Sequence, residues 1–332
     1  MLNWLSTVIA ALTALVVASV LLARYPELAR RRGWLGVDVH KPNHPQIPER
    51  AGLCSFIAAV SGLSLALFLV PQSDRFALLA ACLTITIAAA IGFIDDARRL
   101  GPISKPAILV IASIPLLAFV SLTRPHYRLI LPVIGRVRLT YTYPLLVLAS
   151  VPVASNAANM FDVLNGTLAG SSILILTTLT TCSWLLGESS ATICGLVLLA
   201  SLVPLYMLNR FPSRVFIGNV GAMFLGASIA TVAVLGRIEA IAVLACSPMI
   251  LNGFYTLSSL RRLRERHQIL SRPIFVKDGL LYASPNPSAP LTIVRLVLAE
   301  GPLKENQVIR ILHTLVLVSC IFASIIFLIW WL

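Results

Sequence analysis

Runs of about twenty apolar residues recur along the chain from one end to the other, and they restrict its fold more than any other feature. Ten can be drawn, at 2–23, 51–70, 76–94, 106–123, 143–161, 168–186, 191–208, 220–235, 239–258 and 308–331. A helix that crosses a bilayer needs roughly 20 mostly apolar residues. Each run is long enough once tilt and local thinning are allowed, and the eighth is the shortest. Of the 332 residues only 12% are charged, about half the share usual in a soluble domain. The expected class is an all-α integral membrane protein with about ten transmembrane helices, forming one polytopic domain over residues 1–332. The first run lacks a basic flank and a small-residue cleavage site, so it reads as a retained span. Trp330 and Trp331 suit an interfacial anchor.

The net charge is +13, which in a soluble chain would raise nucleic-acid binding. Here the basic residues lie between the spans. Assigning alternate loops to opposite sides puts 19 Lys and Arg in 24–50, 95–105, 209–219 and 259–307, against six on the other side. The positive-inside rule makes the richer side cytoplasmic and sends both termini outward. No nucleic-acid partner is expected. All six cysteines fall in apolar runs without a C-x-x-C pair, so they read as small buried hydrophobes. Residues 124–142 alternate enough for a short outer hairpin.

The polar residues of the basic side carry the chemistry. Asp95 and Asp96 end the third span and Lys105 opens the fourth. Adjacent carboxylates at a membrane boundary are costly unless paired or metal-bound. On a helix these two point about 100° apart, so both need partners. Mg²⁺ takes one or two carboxylates plus phosphate oxygens, and lysine or arginine neutralises a diphosphate. A solvated helix end is the plainer reading of the pair. Asn156, Asn159 and Asp162 follow one another at helical i, i+3 spacing, ahead of Asn165-Gly166. Interhelical hydrogen bonding would also account for them. Arg264, Arg266 and His267 in the ninth loop suit phosphate, or an anionic lipid headgroup.

Taken in order, these blocks resemble the polyprenyl-phosphate N-acetylhexosamine-1-phosphate transferases, and most closely their eukaryotic and archaeal dolichyl-phosphate branch. Gly36-Val37-Asp38-Val39-His40-Lys41-Pro42 through Ile47-Pro48-Glu49-Arg50 is similar to the family's first block. Ile94-Asp95-Asp96 with Lys105, Asn156-Ala157-Ala158-Asn159 with Asn165-Gly166, Pro212 through Gly218, and Arg266-His267 resemble the next four. Gly301-Pro302 with Glu305-Asn306 echoes the stretch before the last span. The resemblance implies that Asp95, Asp96 and Lys105 are catalytic, organising lipid phosphate and metal. It implies substrate contacts by Glu49, Asn165, Phe216, Arg266 and His267, with Asn165 and Phe216 on uridine. It implies a metal set of Asn159, Asp162 and Asn219 holding Mg²⁺, with Mn²⁺ as substitute.

Three departures from the family pattern stand out. Gly218-Asn219 replaces Gly-Asp, so a metal carboxylate is missing. Gln268 takes the third place of Arg-His-Arg. Asp162 is untypical of the dolichol branch but stands one turn from Asn159, where it would restore the lost charge. The implied reaction moves N-acetylglucosamine-1-phosphate, or a related sugar-1-phosphate, from a UDP-sugar to dolichyl or polyprenyl phosphate. UMP is released, as in the first step of lipid-linked oligosaccharide synthesis for N-glycosylation. The alternative is a non-catalytic relative that binds lipid phosphate or a partner subunit. Membrane lipid and a second copy of the chain are the further partners the resemblance allows. The short loops and absence of a retention signal point to a prokaryotic, archaeal, cell membrane.

Overall fold

The computed structural model describes residues 3–41, 43–98, 100–123, 128–260 and 271–330, excluding the side chains of residues 128, 130 and 136. It is almost wholly helical. Helix α1 runs Trp4–Arg31 and is capped by the Asn3 side chain on the Ser6 N–H. A short antiparallel hairpin follows, β1 (Leu35–Val37) with β2 (Gln46–Pro48). Then come α2 (Gly52–Leu69), α3 (Gln72–Arg98) and α4 (Ser104–Thr123). Strands β3 (Arg128–Leu131) and β4 (Gly135–Arg138) form the hairpin expected in the outer loop. Next are α5 (Thr142–Phe161), α6 (Thr167–Leu185), α7 (Ser189–Asn209) and α8 (Gly218–Gly236). Helices α9 (Glu239–Ala245) and α10 (Ser247–Leu260) follow, then β5 (Ile274–Lys277) paired with β6 (Leu280–Ala283), α11 (Ile293–Val297) and α12 (Glu305–Trp330).

Nine of the described helices are long and apolar enough to cross a membrane, and the pair α9 and α10, bent by 68°, brings the number to ten when it is taken as one broken span. The chain is an all-α integral membrane protein. The ninth apolar run reads in sequence as one span, and the structure breaks it. Pro248 sits inside the first turn of α10, where its missing N–H leaves no helical hydrogen bond unmade.

Helix α8, the shortest run in the sequence, is the centre of the bundle. Every residue from Val220 to Gly236 is buried, and α3 and α5 pack along it. A helix apolar on all faces belongs there. Lipid supplies little hydrophobic drive between helices, so small residues let backbones approach. A Cβ on Gly52 would lie 2.2 Å from the Gly221 Cα, and one on Gly92 would lie 2.6 Å from the Asn219 carbonyl oxygen. Ala10, Ala14, Ala18 and Ala29 line the buried face of α1 in the same way. Connected helices run antiparallel, which brings the ends of α1, α3, α5 and α7 to the same edge as the starts of α2, α4, α6, α8 and α12. The candidate site is built at that edge.

Candidate active site

The last turn of α3 supplies two neighbouring carboxylates with different tasks. Asp95 is buried and pairs with Lys105, Nζ to Oδ2 at 2.6 Å, across to the first turn of α4. Its other oxygen accepts the Leu100 N–H at 2.8 Å, which closes the α3–α4 connection. Asp96 faces α8 instead. Its Oδ1 accepts the Asn219 N–H at 2.9 Å and its Oδ2 the Val220 N–H at 3.1 Å. A carboxylate placed on the first free N–H groups of a helix satisfies them and meets the positive end of the helix dipole. The angular separation expected of adjacent helical residues thus gives each acid its own partner.

This contact requires glycine nearby. Gly218 has φ +76, and a Cβ there would stand 2.8 Å from the Arg50 Cα and 3.1 Å from Asp96 Oδ2. Arg50 is itself held at φ +67, a conformation that costs on the order of 1 kcal/mol for a residue with a side chain. Its neighbours fix it. Ala51 and Gly52 donate to the Phe216 and Ile217 carbonyls, and the Phe216 N–H donates to Pro48. The Arg50 guanidinium donates to the Asp96 carbonyl oxygen at 2.6 Å and lies over the Trp34 ring.

The first loop is therefore laced to the segment before α8. Gly36 has a bare face between the Phe216 ring and the Glu49 carboxyl; a Cβ would come within 3.1 Å of the first and 3.4 Å of the second. Glu49 and Phe216, both predicted substrate contacts, thus stand side by side. The Tyr25 hydroxyl fixes the Glu49 backbone by donating to its carbonyl oxygen at 2.5 Å.

Register places the predicted metal residues. The Ser155 hydroxyl on α5 donates to the Met223 carbonyl oxygen on α8 at 3.1 Å. Asn159 lies one turn beyond Ser155, and Asn219 one turn before Met223. The antiparallel crossing carries both to the same edge. Asp162 is the C-cap of α5; its φ of −78° keeps Cβ near the helical direction while ψ of 70° turns the chain away. Asn156 is not part of this set, since its amide donates to the Pro152 carbonyl oxygen within α5. Among the described residues no three His, Cys, Asp or Glu side chains converge as an all-protein metal cage. Arg266 and His267 lie outside the described residues.

Asn165, at the start of α6, belongs to a second cluster. Its Nδ2 donates to Asp38 Oδ2 at 3.2 Å, and both residues are buried. Lys41 pairs with Asp38 at 3.3 Å and with the buried Glu305, the first residue of α12. Lys41 also lies 4.7 Å from the Phe211 ring centre. Asn165 lines a cavity of about 330 Å³ with Tyr206, Arg210, Phe211, Asn306, Ile309, Arg310 and His313. Sequence reasoning passes over Asp38, Lys41, Arg50 and Glu305 as chemistry. Asp38 and Lys41 fall within the first block and Glu305 within the last, so block membership was the available signal.

The chain is similar in sequence to known proteins over much of its length. Residues 78–237 match the model of glycosyl transferase family 4, a stretch that includes Asp95, Asp96, Lys105, Asn159, Asp162, Asn165, Phe216 and Asn219. A Saccharolobus solfataricus protein with the provisional name UDP-N-acetylglucosamine–dolichyl-phosphate N-acetylglucosaminephosphotransferase is 25% identical over 302 residues, covering 90% of this chain and 89% of that protein. A Sulfolobus acidocaldarius protein of the same provisional name is 22% identical over 304 residues, again 90% and 89%. The phospho-N-acetylmuramoyl-pentapeptide-transferase of Geobacillus sp. (strain WCH70) is 27% identical over 179 residues, 51% of this chain and 53% of that enzyme. Over the family-matched stretch, just under half of its length, the chain is similar to glycosyl transferase family 4, and its helical membrane architecture holds the matched polar residues at one edge.

Proposed function

We propose that the protein transfers a sugar-1-phosphate from a UDP-sugar to a polyprenyl phosphate, with N-acetylglucosamine as the sugar and a dolichyl chain as the acceptor. The observation that carries this reading is the meeting, at one membrane edge, of the Asp95–Lys105 pair, the Asp96-capped start of α8 and the Glu49–Phe216 pair. The relatives' names supply the reaction class.

In this reading an oxygen of the lipid phosphate bonds to the β-phosphorus, the bond to the bridging oxygen breaks, and UMP leaves. A phosphate monoester has a second pKa near 6, so the nucleophile is largely ionised at neutral pH and needs no strong base. Asp95 and Asp96 accordingly act as anchors. Asp95 holds the Lys105 ammonium in place, which retains further N–H donors for phosphate oxygens. Asp96 fixes the position of Asn219. Asn159, Asp162 and Asn219 offer hard oxygen donors with one carboxylate, a set that fits Mg²⁺ shared with a diphosphate. Bound there, the ion would offset charge on the phosphoryl oxygens. The excess of basic residues in its loops supports a cytoplasmic setting for this edge, where UDP-sugars are found, and the same substrates suit a role early in protein N-glycosylation.

Purified protein supplied with polyprenyl phosphate, Mg²⁺ and a panel of UDP-sugars should release UMP, most rapidly from UDP-N-acetylglucosamine. Lys105→Met should lower the rate by at least about a hundredfold, the scale of losing a preorganised electrostatic partner. Asn219 favours a second reading, a relative that binds the same ligands without turnover. A silent wild type together with release by Asn219→Asp would select it; silence from both would reject transfer altogether.

A further inference from the structure

Asn165 is the one candidate substrate contact whose amide orientation is dictated by a neighbour. Resting on the nucleotide reading above, we propose that Asp38 sets base specificity by locking the Asn165 side chain so that its oxygen, and not its nitrogen, faces the base.

The argument starts from what each group can do. A carboxylate accepts hydrogen bonds and donates none, whereas an amide has one end of each kind. Asp38 Oδ2 stands 3.2 Å from Asn165 Nδ2, and turning the amide over would set two acceptors against each other. Asp38 is in turn held in place by its own neighbours. Its Oδ2 lies 3.3 Å from the Lys41 ammonium, and its Oδ1 accepts the His40 backbone N–H at 3.1 Å. Lys41 is anchored from the far side by Glu305. Glu305 also stands near the Asn165 backbone N–H. Two segments distant in sequence, the β1–β2 loop and the start of α12, therefore meet at Asn165 before α6.

Asn165 and Asp38 are only 6% and 4% exposed, so neither can turn to water when the pair is disturbed. Asn165 nevertheless lines the 330 Å³ cavity, which is large enough to admit a planar base. With Nδ2 turned to Asp38, the carbonyl oxygen is the end turned away from that carboxylate and offered to a ligand. An acceptor so placed suits a base whose ring nitrogen carries a hydrogen, as in uracil. It opposes a base with a lone pair at that position, as in cytosine. Discrimination then comes as much from the unpaired acceptors forced on the wrong base as from the bond made to the right one.

The test uses full-length protein in detergent with UMP and CMP as probes, measured by calorimetry. Wild type should bind UMP at least about tenfold more tightly than CMP, the scale of one buried unpaired polar group. In Asp38→Asn the neighbour can donate as well as accept, the Asn165 amide is free to turn, and the ratio should fall to within about threefold. Asp38→Ser carries the same expectation should Asp38→Asn fail to fold. The exchanged pair, Asp38→Asn with Asn165→Asp, again presents an oxygen to the base and should restore the wild-type preference, which a merely structural role for Asp38 would not require. A wild-type ratio near one overturns the proposal, as does a preference that survives in Asp38→Asn or Asp38→Ser. Absence of binding by either nucleotide overturns the nucleotide reading itself, a different outcome from binding with an unaltered ratio.

Discussion

Asp95 and Lys105 form the most buried ion pair among the described residues. Removing one member of such a pair strands a charge and costs about 3–5 kcal/mol, while removing both is much cheaper. We expect Asp95→Asn and Lys105→Met each to lower the apparent melting temperature strongly in detergent. Their combination should lose less than the two effects summed, a coupling of at least about 1 kcal/mol. Asp96 calls for a different expectation. As the acceptor for the first N–H groups of α8, its replacement by Asn should cost about 1–2 kcal/mol, the scale of a helix cap, and should slow UMP release by moving Asn219. Residue types near the third span pointed to these acids, but not to how they divide the work. The donors to Asp96 are backbone N–H groups 123 and 124 residues away, and a backbone donor leaves no mark in residue type. The Lys41–Glu305 pair, 264 residues apart, was hidden for a related reason: either residue alone reads as a solvated loop charge.

At the level of elements, the packing of α8 decides whether the edge residues meet at all. Gly52 and Gly221 cross with no room for a methyl group, so Gly52→Ala should cost about 1–3 kcal/mol by overpacking, or displace the first loop from Phe216. Gly253 in α10 is the contrasting case. The nearest atom to its Cβ position is Met160 Sδ at 3.8 Å, so Gly253→Ala should be neutral or stabilising by up to about 1 kcal/mol through helix propensity. Apparent melting temperatures at one scan rate would compare the two, and equal losses would contradict this account of the crossing. The ten apolar runs were legible because crossing a bilayer demands about twenty apolar residues in a row, and a run of that length is a local signal. The central position of α8 was not legible. A lipid-facing helix and a helix enclosed by other helices are both apolar, so hydropathy cannot rank them. Glycines aligned across a crossing carry that information, and they show it only when both helices are seen together.

For the whole molecule, the open quantity is direction across the membrane. Helix alternation puts Asp95, Lys105, Asn165, Asn219 and Glu305 at one edge, and the segment between α10 and α12 emerges from that edge. The β3–β4 hairpin emerges from the opposite one. The nineteen-to-six asymmetry of basic residues predicts that the first edge is cytoplasmic. Single cysteines would test this against a background with none. The six native cysteines sit in or beside apolar helices and form no disulfide, so replacing them should disturb packing little. Ile134, at the tip of the β3–β4 hairpin, is 71% exposed, and Ser288 lies in the exposed loop before α11. In intact cells a membrane-impermeant maleimide should modify Ile134→Cys and spare Ser288→Cys until the membrane is opened. The reverse pattern would put the Asp95–Lys105 edge outside the cell, away from nucleotide sugars. A UDP-sugar donor would then be untenable whatever the local geometry, because every candidate substrate contact among the described residues lies at that edge.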